Sequence, residues 1–256
     1  MNIPLRTTQA NNITMRYAEI GSGPLVLFCH GWPESWYSWR HQLAAVSAAG
    51  YRCVAPDMRG YGGTEAPEGI DQYTLMHLVG DMAELVKALG ETKAIIVGHD
   101  WGAPVAWHAA LWRPDLFPAV CAMSVPYSPP GYVDILTALA KLGIDDFYLQ
   151  YFQKPGVPEA ELSRDIKGAL RRLYYTASGD LDDTKKGFGR LPDGTLLGNT
   201  ANPDKLPAWL SEADLDYYTQ EFARAGFRGG LKIGRAHVCT PVTFRNLVCR
   251  LLLEKK

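Results

Sequence analysis

The chain has 256 residues, 47% of them hydrophobic and 11% aromatic, so it can bury the core of one α/β domain with or without an insertion. Its formal net charge is -1 with both signs mixed along the chain, which predicts no nucleic acid partner and no anionic membrane surface. We expect a cytoplasmic protein, because the first residues lack a signal-peptide pattern and no apolar run approaches the ~20 residues of a membrane span. The five cysteines show no metal or disulfide spacing, so neither a metal nor a cofactor is expected. The oligomeric state stays open.

Strands and helices alternate in the first half of the chain. Short apolar runs predict strands at residues 13–21, 24–31, 51–60, 94–100 and 119–126. Helical patterns lie between them at 39–50, closed by Gly50, at 73–90, closed by Gly90, and at 101–114, stopped by Pro114. This order predicts an α/β fold with a mostly parallel sheet.

The character of the sequence changes after residue 130. Residues 132–231 hold mainly helical patterns, many aromatic residues and an irregular Gly- and Asp-rich stretch. We therefore predict an α/β core over 1–130 and a helical cap, or lid, over 131–232.

The segment IIVGHDWGAP places a carboxylate where a strand turns into a helix. Gly98 and Gly102 permit a tight, strained turn that presents Asp100 above the sheet edge. The N–H groups that open the following helix favour an ionised Asp100, which can displace a leaving group at a saturated carbon and form an ester. The alternative is an aspartate that caps the helix of a nucleotide-binding sheet.

A second segment supplies the context for this corner. FCHGWPESWYSWR carries an HGxP loop from His30 to Pro33, and together with the GHDWG corner it resembles the epoxide hydrolases of the α/β-hydrolase fold. The resemblance covers residues 1–231 and implies that a small apolar epoxide is opened by Asp100, after which water hydrolyses the ester to a diol. It also implies that the backbone N–H groups of Trp32 and Trp101 form the oxyanion hole.

Ring opening needs an acid beside the epoxide oxygen. The segment FYLQYFQKPG resembles the family's lid signature, which by register assigns this role to Tyr148, with Tyr151 as the alternative. The substrate pocket is expected to include a further set of residues, His30, Pro33, Trp36, Tyr151 and Phe152. For Trp36 and Phe152, core packing is the competing interpretation. His99 is expected to be a buried structural donor and not the catalytic base.

The last segment departs from the family pattern. Relatives continue with a second lid tyrosine, near the position of Gly234, and later with an acid and a histidine that activates water. Residues 233–256 lack the tyrosine and carry no acid or base in a recognisable setting, with His237 as the only histidine. They resemble a translated sequencing adapter, so we predict a non-native tail and a missing C-terminal part of the core. The alternative is a divergent native terminus. We then expect no sustained turnover, and association through the exposed sheet edge.

Two other functions remain open at this stage. Haloalkane dehalogenases share the fold and the GHDWG corner, but the YFQKPG signature favours the epoxide hydrolases. A non-catalytic ligand-binding protein of the same fold would also explain the absent acid and base.

Overall fold

The computed structural model describes residues 3–129, 135–182 and 186–239, with side chains as far as residue 236. In these ranges six strands form one sheet in the order β1-β2-β4-β3-β5-β6. The strands are β1 (Leu5–Ala10), β2 (Ile13–Ile20), β3 (Leu25–Cys29), β4 (Arg52–Pro56), β5 (Ile95–His99) and β6 (Ala119–Met123). β2 pairs antiparallel with β1 and β4, and the pairs from β4 through β3 and β5 to β6 are parallel. The mostly parallel sheet predicted from the sequence is confirmed.

Helices cover both faces of this sheet. Those of the first half are α1 (Arg40–Ala48), α2 (Leu75–Ala88) and α3 (Gly102–Trp112). β3 is buried along its whole length, with Val26 and Phe28 in the cluster that contains α1, and Leu25 and Leu27 in the cluster that contains α2 and α3. This two-sided burial explains why the central strand is a continuous apolar run.

The strand β1 is not predicted by the sequence pattern. Its residues, LRTTQA, are mainly polar and exposed, since β1 is an edge strand that pairs only with β2. Its position therefore depends on the hairpin with β2, not on an apolar face of its own.

The second half of the described chain is helical. It contains α4 (Ile135–Lys141), α5 (Tyr148–Phe152), α6 (Val157–Ser163), α7 (Ile166–Thr176), α8 (Glu212–Ala225) and α9 (Arg228–Cys239). None of the described helices combines the length and the apolar character that crossing a membrane requires.

Helices α7 and α8 dock on the loop that follows β3. The Tyr174 hydroxyl donates to the Pro33 carbonyl at 2.7 Å, and the Trp36 indole donates to the Tyr217 hydroxyl at 2.8 Å. Arg16 on β2 pairs with both Asp57 and Glu221 of α8. The predicted boundary between 130 and 131 lies outside the described residues, and the predicted boundary between 232 and 233 falls inside α9, so the division into core, cap and tail stays a prediction.

Candidate active site

The corner between β5 and α3 has the conformation that the sequence predicts. Asp100 adopts φ of 51°, in the left-handed region that is unfavourable for a residue with a side chain. A Cβ at Gly98 would overlap the backbone of Gly102, and a Cβ at Gly102 would overlap the backbone of Cys29. The two glycines are therefore required by close backbone contacts on either side of Asp100.

The loop after β3 meets this corner because β3 and β5 are parallel neighbours. Cys29 lies opposite Gly98 in the register, so the residues that follow the two strands share one sheet edge. The backbone N–H of Trp32 donates to Asp100 Oδ1 at 2.8 Å, and the N–H of Trp101 also hydrogen-bonds the Asp100 carboxylate. The Trp32–Pro33 peptide bond is cis. The two N–H groups expected to form an oxyanion hole thus converge on one carboxylate.

The pKa of Asp100 depends more on burial than on the N–H groups at the start of the helix. Burial raises the pKa of Asp100 to about 6, although the N–H groups of Trp32 and Trp101 oppose this rise. The charge of Glu34 adds to the rise and that of His99 opposes it. The carboxylate is ionised at neutral pH as expected, but it loses its charge below about pH 6 because desolvation outweighs the helix N–H groups.

Tyr148 and Phe152 lie on α5, and Phe152 packs beside this corner. The Phe152 ring packs edge-on against Trp32, with centroids 4.7 Å apart, and against Tyr148, with centroids 5.4 Å apart. Burial and the charge of Asp100 raise the pKa of Tyr148 to about 12. In the described part of the chain the Tyr148 side chain has no hydrogen-bond partner. These side chains form a row, Trp32–Phe152–Tyr148, that we call the aromatic row.

Tyr151 and Trp36 are engaged elsewhere. The Tyr151 hydroxyl donates to Glu161 Oε2 at 2.6 Å, and Glu161 also accepts the N–H groups of Leu196 and Leu197. The Trp36 ring packs with Phe28 and Leu43 in the core cluster on the α1 side of the sheet. Tyr151 and Trp36 therefore occupy positions of structural packing, and the Tyr151 hydroxyl is engaged by Glu161.

His30 and Pro33 hold the HGxP loop through hydrogen bonds to neighbouring elements. The Pro33 carbonyl accepts the Tyr174 hydroxyl. The Met58 N–H donates to His30 Nε2 at 2.9 Å, and His30 Nδ1 lies 2.9 Å from the Gly31 carbonyl, so both ring nitrogens are occupied. Burial lowers the pKa of His30, which keeps the ring neutral. His30 is 1% exposed, so it shapes the loop from inside the core.

An ion pair beside the corner is not singled out by the sequence. Glu34 Oε1 lies 3.1 Å from His99 Nδ1, and Glu34 Oε2 accepts the Gly31 N–H at 2.9 Å. The hydrogen bond to Glu34 raises the pKa of His99. The expectation of a structural role for His99 agrees with this contact, but the expectation that it is buried is wrong, since 40% of its side chain is exposed. In the sequence, the feature that could have indicated this pair is the acidic residue Glu34 directly after the HGxP loop.

The fold and this site define an α/β hydrolase, and a family model described as alpha/beta hydrolase fold matches residues 24–223. The chain is 45% identical over 237 residues to epoxide hydrolase 2 of Siraitia grosvenorii, covering 90% of this chain and 71% of that protein. It is 41% identical over 231 residues to epoxide hydrolase A of Mycobacterium tuberculosis, covering 88% of this chain and 71% of that protein. A solved epoxide hydrolase from an endophytic Streptomyces superposes with a TM-score of 0.85 at 46% identity, over 91% of this chain and 71% of that one.

The chain belongs to the epoxide hydrolases of the α/β-hydrolase fold. This confirms the family that the HGxP loop and the GHDWG corner indicate.

Proposed function

We propose that Asp100 opens an epoxide by nucleophilic attack. One carboxylate oxygen bonds to a ring carbon, the carbon–oxygen bond of the ring breaks, and its electron pair stays on the departing oxygen. The product is an ester between Asp100 and the opened substrate. The strongest support is the 2.8 Å contact of the Trp32 N–H with Asp100 Oδ1 at the strained corner, which holds the carboxylate in one orientation.

Tyr148 is the proposed acid for this step. The departing oxygen is strongly basic, and a phenol beside it supplies a proton while the bond breaks. With its pKa raised to about 12, Tyr148 keeps its proton at neutral pH. The hydroxyl of Tyr151 is already donated to Glu161, which leaves Tyr148 as the candidate.

The N–H groups of Trp32 and Trp101 are proposed to act in the second step. When water attacks the carbonyl carbon of the ester, negative charge develops on an oxygen of Asp100, and fixed N–H donors stabilise that charge. The diol then leaves and the carboxylate is restored. The aromatic row favours an apolar substituent on the epoxide.

This second step requires a base to activate water. His30 has both ring nitrogens occupied, and Nδ1 of His99 is paired with Glu34. The His108 Nδ1 is bonded to the Pro104 carbonyl, and the pKa of this ring is lowered by burial. Because these three described histidines are engaged by protein groups, we expect the ester to accumulate, with one alkylation for each chain.

The test uses styrene oxide as an aryl epoxide and intact-protein mass spectrometry. We expect a mass gain of one epoxide, located by peptide mapping on the peptide that contains Asp100. Asp100→Asn should abolish the adduct because an amide is not a nucleophile. Asp115→Asn, which changes an exposed carboxylate paired with Arg113, is the matched control and should keep the adduct.

Two results would contradict the proposal. An adduct of unchanged mass and yield in Asp100→Asn would exclude Asp100 as the nucleophile. Sustained release of diol by the chain, beyond one equivalent, would show that a base acts on the ester.

A further inference from the structure

Helix α5 carries Tyr148 at its first position, yet it has only the five residues Tyr148–Phe152. A helix this short is not stable by itself in water, so its orientation depends on contacts with other elements. The N-terminal end is held by the Tyr148 N–H, which donates to the Gly189 carbonyl at 3.1 Å. What holds the other end decides where the Tyr148 hydroxyl lies.

The C-terminal end of α5 is bound by one arginine. Arg235 Nε donates to the Phe152 carbonyl at 2.8 Å, and a terminal nitrogen of Arg235 donates to the Lys154 carbonyl at 3.3 Å. A cation is favourable at these carbonyls because the C-terminus of a helix carries partial negative charge. The planar guanidinium can bind several acceptors at once, which a lysine cannot do in the same geometry.

The charge of Arg235 is balanced in a buried site. Its other terminal nitrogen lies 2.6 Å from Glu159 Oε1, near the start of α6, and Arg235 is 4% exposed. Burial disfavours the ionised form of Glu159, but the hydrogen bond and charge of Arg235 together with backbone N–H groups outweigh it, so the pKa of Glu159 is lowered. Arg235 therefore joins α9, α5 and α6 at one point.

Helix α9 also lies directly on the active-site loop. A Cβ at Gly230 would lie 2.7 Å from Trp32 Cδ1 and 2.5 Å from the Tyr61 hydroxyl, so the α9 backbone touches both rings. One face of α9 contacts the residue whose N–H binds Asp100, and Arg235, just over one turn further on, binds the helix that carries Tyr148. Helix α9 therefore contacts both the loop that binds Asp100 and the helix that carries Tyr148.

We infer that Arg235 is a positioning residue for the epoxide-opening reaction, which fixes α5 so that the Tyr148 hydroxyl faces a ligand on Asp100. This inference rests on the proposed roles of Asp100 and Tyr148. Arg235 lies within α9, and its contacts with α5 do not depend on the origin of the segment from 233 onward.

The first measurement is the rate of styrene oxide adduct formation, resolved into its maximum and its half-saturation concentration. We expect Arg235→Met to lower the maximum about tenfold or more, since small displacements of a reacting group are costly, with little change in half-saturation. Arg235→Lys should recover part of the loss, because an ammonium can still bind one carbonyl.

The matched control is Lys232→Met. Lys232 lies on the same helix and is also 4% exposed, but its ammonium binds the carbonyls of Pro67 and Glu68 and lies over the ring of Tyr73. Among the described residues its ammonium makes no hydrogen bond to α5. Its removal should leave the maximum within about twofold of the parent, because its partners lie away from the lid tyrosine.

The decisive comparison repeats Arg235→Met in a Tyr148→Phe background. If Arg235 acts through the Tyr148 hydroxyl, the second change should add nothing to the loss caused by the first. An equal loss in both backgrounds would show a general structural role and overturn the inference.

Hydrogen exchange of the peptide covering 147–154 distinguishes the effect of Arg235 on α5 from the role of Tyr148 in the reaction. Arg235→Met should speed exchange there about tenfold, and Lys232→Met should not, since protection reports local opening. Unchanged exchange in Arg235→Met would overturn the inference whatever the rates show. Faster exchange together with full activity of Tyr148→Phe would instead refute the proposed role of Tyr148. Should Arg235→Met fail to fold, Arg235→Lys is measured in its place.

Discussion

Lowering the pH from about 8 to about 5 should slow the alkylation of Asp100 by styrene oxide roughly tenfold. Attack requires the carboxylate, and burial places the pKa of Asp100 at about 6. The ionised fraction is then close to complete at about pH 8, about one half at pH 6 and about one tenth at pH 5. Tyr148, with its pKa at about 12, keeps its proton over this whole range. The plot of rate against pH should therefore show one transition only, that of Asp100.

The assay is the initial rate of adduct formation at saturating styrene oxide, followed by intact mass at a series of pH values. Asp100→Asn at each pH supplies the background for direct reaction of the epoxide with other groups. A rate that stays constant down to about pH 5, or a midpoint near the ordinary aspartate value of about 4, would show that burial does not raise the pKa of this carboxyl.

Three further outcomes are expected. Asp100→Asn should stabilise the fold by at most about 3 kcal/mol above pH 6, because a raised folded-state pKa means that the ionised carboxyl destabilises the fold. Below about pH 4 the carboxyl is protonated in both states, and the substitution should have no effect. Equal melting temperatures of variant and parent at pH 8 would contradict this. Gly31→Ala should lower the alkylation rate about 100-fold, since its Cβ would overlap the Asp100 side chain, while Gly179→Ala, which meets no atom within 4 Å, should keep the rate; equal rates for the two variants would refute this reasoning. Met123→Lys should reduce concentration-dependent association measured by light scattering, because β6 is an outer strand with an exposed apolar residue. The control is Leu142→Lys, a change at an exposed residue away from the sheet. An equal effect of both substitutions would argue against association through β6.

The sheet could be predicted from the sequence because its signals are local. The buried runs at 24–31 and 94–100 carry their apolar pattern within a few residues, and α1 and α2 end two residues before Gly50 and Gly90. β1 could not be predicted in the same way, since a polar edge strand is stabilised by pairing with β2. Pairing of this kind is not encoded in the composition of the strand.

The sequence motif FYLQYFQKPG does not decide which of its tyrosines is the candidate acid. The sequence leaves Tyr148 and Tyr151 as alternatives, because both lie in the same short segment. In the structure Glu161, a residue of the next helix, accepts the hydroxyl of Tyr151, and this contact supports the proposal of Tyr148 as the acid. The contact of Arg235 with α5 is a further example, since the two elements are 81 to 83 residues apart along the chain.

The sequence by itself determined the strained corner at Asp100 and the loop that faces it, because the glycines and the turn residues act on their immediate neighbours. Only the tertiary structure decided the pKa of Asp100, which of Tyr148 and Tyr151 donates its hydroxyl to Glu161, and what holds α5 in place. These properties depend on burial and on contacts between distant segments, and the physical reason is that desolvation and hydrogen bonding act through space and not along the chain.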